Sequence, residues 1–342
     1  MEPLGFPLEL IIVLLSVVGV SVYVDLYSHR NKTDISFKDA TFWTAFWIGL
    51  AIAFYYYLGF RYGDEYASLF MAGYALEKSL SIDNMMVFVA IFAAFGIKGI
   101  LQHRILYYGI IGALFFRGIF IAAGTTLFGM TPWIEIAFAA VVAWTAWLMF
   151  KGSDDAEVED YSTHWSVRFT KKILPILPRL QGKSFFVSRS TVVELEKNDP
   201  SLNIARKGAF YATPMFLCLI CIEVSDIVFS FDSVPAIIAI TQEPLLVYAA
   251  VIFAILGLRS LYFMLAVAAR YLCHLEKGVA LVLVFIAVKL GISGIEKTFG
   301  MDILHIPHDI SLYVVLGFIG LGVLASVIWP EDDDAKVIEE AV

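Results

Sequence analysis

Glu77-Lys78-Ser79-Leu80-Ser81-Ile82-Asp83-Asn84 lies in the middle of an apolar run over residues 66–95. A second stretch, Asp226-Ile227-Val228-Phe229-Ser230-Phe231-Asp232-Ser233, lies in a similar run over 208–240. Both have the form acid-x-x-x-Ser-x-Asp-[Asn/Ser]. Soluble cores rarely place carboxylates at the centre of runs this long. Membrane helices do so at a cost of roughly 2.5–3.5 kcal/mol per Asp, Lys or Arg, and mainly where an ion or proton passes.

The rest of the chain fits a membrane setting. Of 342 residues, 60% are hydrophobic and only 16% charged, with a mean hydropathy of +0.79. Soluble domains hold about 25% charged residues. The apolar excess falls in blocks of about twenty residues, enough for a helix to cross the hydrocarbon core. Nine spans are predicted, at 8–27, 41–60, 66–95, 105–128, 132–150, 208–240, 245–269, 277–295 and 310–329. The fold class is therefore all-α, a polytopic transmembrane bundle.

The units expected are an N-terminal hairpin (1–60), a first three-helix repeat (66–150), a cytoplasmic loop (151–207), a second three-helix repeat (208–295), a last helix (310–329) and an acidic tail (330–342). The two repeats rest on order. Each has the acidic motif, then an arginine near the middle of the next span (Arg117, Arg259), then a lysine closing the third span (Lys151, Lys289). Tandem units of three spans are necessarily inverted, as in many secondary transporters.

Lys and Arg gather after the first span, between the third and fourth, and between the seventh and eighth. By the positive-inside tendency the N-terminus faces out and the C-terminus in. The expected location is a bacterial inner (plasma) membrane. A net charge of −8 speaks against a nucleic-acid partner. Cys218-Leu219-Ile220-Cys221 sits in an apolar run without βαβ context and reads as packing. His305 and His308 read as loop residues. In the 151–207 stretch, Trp165, Phe169 and Ile173 recur every four residues beside Arg168, Lys171 and Lys172. This pattern fits a short basic amphipathic helix on the inner leaflet, or a solvated linker.

Glu77, Asp83, Glu223, Asp226 and Asp232 stand against Lys78, Arg117 and Arg259, leaving two negative charges. One divalent cation or two protons would neutralise them. Glu77 and Asp83 are six residues apart, hence about 120° and ~9 Å apart on a straight helix. Such a helix cannot aim both at one point, so breaks are expected near the carboxylates. Pro235, unable to donate to the Phe231 carbonyl, supplies one. Asn84, serines and freed carbonyls complete an all-oxygen donor set suited to Mn²⁺, Ca²⁺ or Mg²⁺. The residues alone leave open a divalent-metal exporter, a monovalent cation/proton antiporter, and a membrane scaffold or biogenesis factor with structural buried charges. No enzyme signature or prosthetic group is visible.

The chain resembles the TerC family of integral membrane proteins, and within it the Alx-like members. The resemblance is carried by Glu77 to Asn84, Arg104 to Arg117, Tyr211-Ala212-Thr213-Pro214, Glu223 to Ala236, Phe253 to Arg259 and Val284 to Lys289. It implies Mn²⁺ export by alternating access, with protons as the expected counter-ion. It implies a metal site drawn from Asp83, Asp232, Glu77, Asn84, Glu223 and Asp226, with Arg117, Arg259 and Lys78 as supporting charges. The family is also distantly similar to exporters with paired Glu-x-Gly-Asp motifs. Here Glu223-Val224-Ser225-Asp226 has Ser in the Gly position, and the first half has no counterpart.

Overall fold

Proline and glycine punctuate the apolar runs, and they set most of the helix boundaries. The computed structural model describes residues 4–28, 37–151, 161, 164–198, 208–268, 274–300 and 307–329. Its helices are α1 (Leu8–Ser28), α2 (Phe37–Tyr62), α3 (Asp64–Ala94), α4 (Ile100–Met130), α5 (Pro132–Lys151), α6 (Trp165–Ile173), α7 (Arg189–Asn198), α8 (Pro214–Thr241), α9 (Pro244–Ile255), α10 (Leu258–Ala268), α11 (Leu275–Phe299) and α12 (His308–Ile328). Pro132, Pro214 and Pro244 open their helices, where a missing N–H costs nothing. Gly63 and Gly99 precede α3 and α4, and left-handed Gly300 closes α11.

Among the described residues, six helices are long and apolar enough to cross a membrane: α2, α4, α5, α8, α11 and most of α12. A seventh crossing results if α9 and α10, bent by 46° at their junction, form one span. The sequence reading of nine spans adds α1 and α3. In α3, charge interrupts the apolar run. In α1, the apolar stretch among the described side chains is Leu8–Ser21.

At the centre α3 packs on α8 and α9, and α4 packs on α8 and α9. α5 lies along α11, α12 covers α11 and α3, and α2 lies against α3 and α10. The core runs from Phe54, Phe70 and Phe253 to Met85, Ile237 and Leu283. The interval 151–207 holds α6, strand β1 (Phe186–Ser188) and α7. β1 pairs antiparallel with β2 (Phe210–Ala212), with Val187 opposite Tyr211. Leu177, Val187, Val192 and Tyr211 form a small second core there. The acidic run 154–160, the tail 330–342 and His305 lie outside the described residues, as do the side chains of His308 and Arg270.

Two expectations need correction. The helices that carry the acidic motifs are not broken: α3 and α8 are continuous, with Pro235 inside α8. Every residue from Ser233 to Thr241 is buried, so packing on all sides holds the helix together despite one lost hydrogen bond. The break falls instead at Leu256-Gly257, between α9 and α10, where Gly257 has φ +82°. The second correction concerns Lys289. It does not close its span but sits mid-helix in α11, buried, donating to Ser311 Oγ at 2.8 Å. Lys151 does occupy the last turn of α5.

Candidate functional site

Two continuous helices cannot gather all five carboxylates, and they divide them into layers. In the first layer Arg117, from the middle of α4, reaches between α3 and α8. Its guanidinium is ion-paired to Glu77 on one side. On the other it grips Asp226 with both teeth, Nη2 to Oδ1 at 2.7 Å and Nε to Oδ2 at 3.1 Å. Glu77, Arg117 and Asp226 are 0%, 1% and 5% exposed. Glu77 and Asp226 are the matching acids of the two sequence motifs, and here they share one cation. The bidentate fork is the geometry a planar guanidinium offers and an ammonium does not.

The second layer holds the other matching pair. Asp83 and Asp232 are near enough to feel each other's charge, and Asp83 also feels Glu276. Asp232 Oδ1 accepts from the backbone N–H of Ser233 at 2.8 Å. No ion pair holds Asp83 or Asp232 among the described residues. Sequence reasoning missed Glu276. In the first turn of α11 it reads as a charge favourable to the helix dipole, which hides any further role.

Glu223 lies beside the first layer. Three residues before Asp226 on α8, it turns toward α4 and lines a small cavity of about 20 Å³ together with Met85, Phe88, Asp226, Leu258 and Arg259. Its carboxyl group occupies the space a Cβ on Gly112 would fill, so Gly112 is its seat. Glu223 Oε2 is buried with no hydrogen-bond partner among the described residues. Asn84 is buried beside Asp83 on α3.

The helix break supplies the remaining polar contact. α9 ends at Ile255, and Lys78 Nζ donates to the Ala254 carbonyl at 3.1 Å. Lys78 is therefore turned inward and buried, not extended to an interface. Arg259 follows the break by two residues and lines the Glu223 cavity. Outside this region, Glu135 of α5 accepts from Ser293 at 2.8 Å and Lys297 at 2.6 Å on α11. That pair fastens α5 to α11. Cys218 and Cys221 are free and buried.

Among the described residues, no three His, Cys, Asp or Glu side chains assemble as a cage for a metal ion. Arg117 explains this at the first layer, since its guanidinium stands between the two carboxylates a cation would bridge.

A family model described as "Integral membrane protein TerC family" matches residues 62–333. The chain is 48% identical over 338 residues to "Tellurium resistance protein TerC" of Serratia marcescens, covering 97% of each chain. It is 48% identical over 345 residues to the protein of the same name in an Alcaligenes species, again over 97% of each. It is 34% identical over 314 residues to "Putative membrane-bound redox modulator Alx" of Escherichia coli K12, covering 89% of each. No solved structure matches.

Proposed function

From the premise that this chain belongs to the TerC family of integral membrane proteins, we propose that it exports Mn²⁺ from the cytoplasm by alternating access, with protons moving inward. The observation that carries this reading is the convergence of Glu77 and Asp226, the matching acids of two motifs, on the single guanidinium of Arg117. In this reading Arg117 is a tethered counter-cation. It holds the empty transporter together and yields the two carboxylates when a metal ion arrives. Asp83 and Asp232, with Asn84, form the neighbouring station, and Glu223 is free to carry a proton. The donors are all hard oxygen, which favours Mn²⁺, Ca²⁺ or Mg²⁺ over softer metals. The names of the relatives fit a role in resistance to a toxic element.

The packing supports an inverted repeat. If α3, α4 and α5 correspond to α8, α9–α10 and α11, a twofold exchanges the α4–α8 contact with the α3–α9 contact, and both are extensive. Counting α1 and α3 with the six apolar helices and the bent pair gives nine crossings. The N-terminus is then outside and the C-terminus inside a bacterial inner membrane.

The test is cellular manganese under manganese stress, with and without the intact protein. Export predicts lower content and better growth when the protein is present; equal content overturns the reading. In proteoliposomes, a Mn²⁺ flux indifferent to an imposed pH gradient would remove proton exchange and leave export standing.

A further inference from the structure

α6 turns three large apolar side chains away from the protein. Trp165, Phe169 and Ile173 are 55%, 59% and 54% exposed. Their four-residue spacing keeps them within about 80° of arc. One flank of that arc, Ser166, Val167 and Thr170, is buried, with α6 packed on α8. The other flank is Arg168, Lys171 and Lys172, all exposed. The helix thus has a protein face, an apolar face and a basic face. Between Ser162 and Arg189 the chain carries six Lys or Arg and no acid.

The depth of α6 decides what covers its apolar face. Ser166 Oγ lies 3.5 Å from Cys221 Sγ. Cys221 is seven residues into α8, about 10 Å along its axis. The 28 residues of α8 span about 42 Å, against a ~30 Å hydrocarbon core. With α8 centred on the core, the start of α6 therefore lies about 4 Å inside the boundary between headgroups and acyl chains. Interfacial amphipathic helices rest about there.

We propose that α6 binds an anionic lipid surface. Trp165, Phe169 and Ile173 enter the acyl layer, and Arg168, Lys171 and Lys172 meet lipid phosphates. The inference rests on α6 alone and holds whatever the protein transports. Its consequence is mechanical: the buried face of α6 clamps the end of α8 that leads to Glu223 and Asp226.

The experiment uses the full chain with Cys218, Cys221 and Cys273 changed to alanine and a nitroxide on Phe169→Cys. It is reconstituted in phosphatidylcholine alone or mixed with phosphatidylglycerol. Adding the anionic lipid should raise collision of the label with oxygen and lower collision with a water-soluble nickel chelate, several-fold. Arg168→Glu with Lys171→Glu should abolish that response, while a label on Gly182→Cys stays open to the chelate. Equal chelate access in both lipids overturns the proposal. If the cysteine-free chain does not fold, quenching of Trp165 by brominated phosphatidylglycerol, measured against Trp165→Phe, decides the same question: quenching supports lipid contact, and its absence overturns it.

Discussion

Arg117 is the residue on which the buried charge balance turns. Substituting methionine leaves Glu77 and Asp226 buried without their cation. Breaking a buried pair in this way costs about 3–5 kcal/mol. Arg117→Met is therefore expected to unfold well below the parent in detergent, and Arg117→Met with Glu77→Gln and Asp226→Asn to recover part of the loss. A triple variant no more stable than the single one would mean that the arginine holds the helices by packing rather than by charge. Gly112 behaves differently. A methyl there collides first with the far end of the Glu223 side chain, which can move aside. Gly112→Ala should keep nearly the parent stability and lose transport, because Glu223 leaves its cavity. Unaltered Mn²⁺ flux in that variant would take Glu223 out of the pathway. Much of this was legible in the sequence: the charged residues stand out against an apolar background. Their partition was not. The six-residue separation correctly says that Glu77 and Asp83 point apart, but spacing within one helix cannot say that Asp83 feels the charge of Asp232, that Arg117 meets Glu77, or that Gly112 makes room for Glu223.

At the scale of the helix, what matters is where the chain bends. Proline at 235 is the obvious breaker, yet burial of the whole following segment keeps α8 intact. The bend is at Gly257, whose φ of +82° an L-residue rarely adopts. The signal was present in the repeat: aligned on the arginines, Gly257 stands where the first half has Phe115. A phenylalanine carries α4 through as one helix, and a glycine lets its counterpart break. The Trp47 side chain of α2 packs on the bare face of Gly257. Gly257→Ala then incurs both backbone strain, about 1–3 kcal/mol, and a collision with Trp47. Trp47 is buried, so Trp47→Ala alone costs about 3–5 kcal/mol in unfolding experiments. In that background the collision is gone, and Gly257→Ala should cost less than it does in the parent, the strain alone remaining. If Gly257→Ala costs nothing in the Trp47→Ala background, the backbone conformation at 257 carries no strain. Pro235→Ala, which restores a helical N–H, should leave transport close to the parent, whereas Gly257→Ala should depress it. The reverse order would move the functional hinge back to α8.

Across the whole molecule, the sequence reading and the structure agree on a helical membrane protein and differ on how many crossings can be counted from composition. α3 is the reason. Its 31 residues are long enough to span, but Asp64, Glu65, Glu77, Lys78 and Asp83 dilute its apolar character. α8, which carries Glu223, Asp226 and Asp232, remains apolar enough to keep its hydropathy signal, whereas the five charges of α3 weaken that of α3. Burial restores it: Glu77 and Lys78 are enclosed by protein and face no lipid. Nine crossings lead to a definite sidedness. α8 separates the sheet region at Tyr211 from Gln242, so those two places lie on opposite sides of the membrane if α8 crosses it. α3 separates Gly63 from Gly96 in the same way. In cells, a cysteine at Gly63 or Gln242 should react with a membrane-impermeant maleimide added outside. A cysteine at Gly182 or Gly96 should react only after the membrane is opened. Reaction of Gly63→Cys and Gly96→Cys from the same side would mean that α3 does not cross. It would then have no equivalence to α8, and the inverted repeat, with the alternating access drawn from it, would have to be given up.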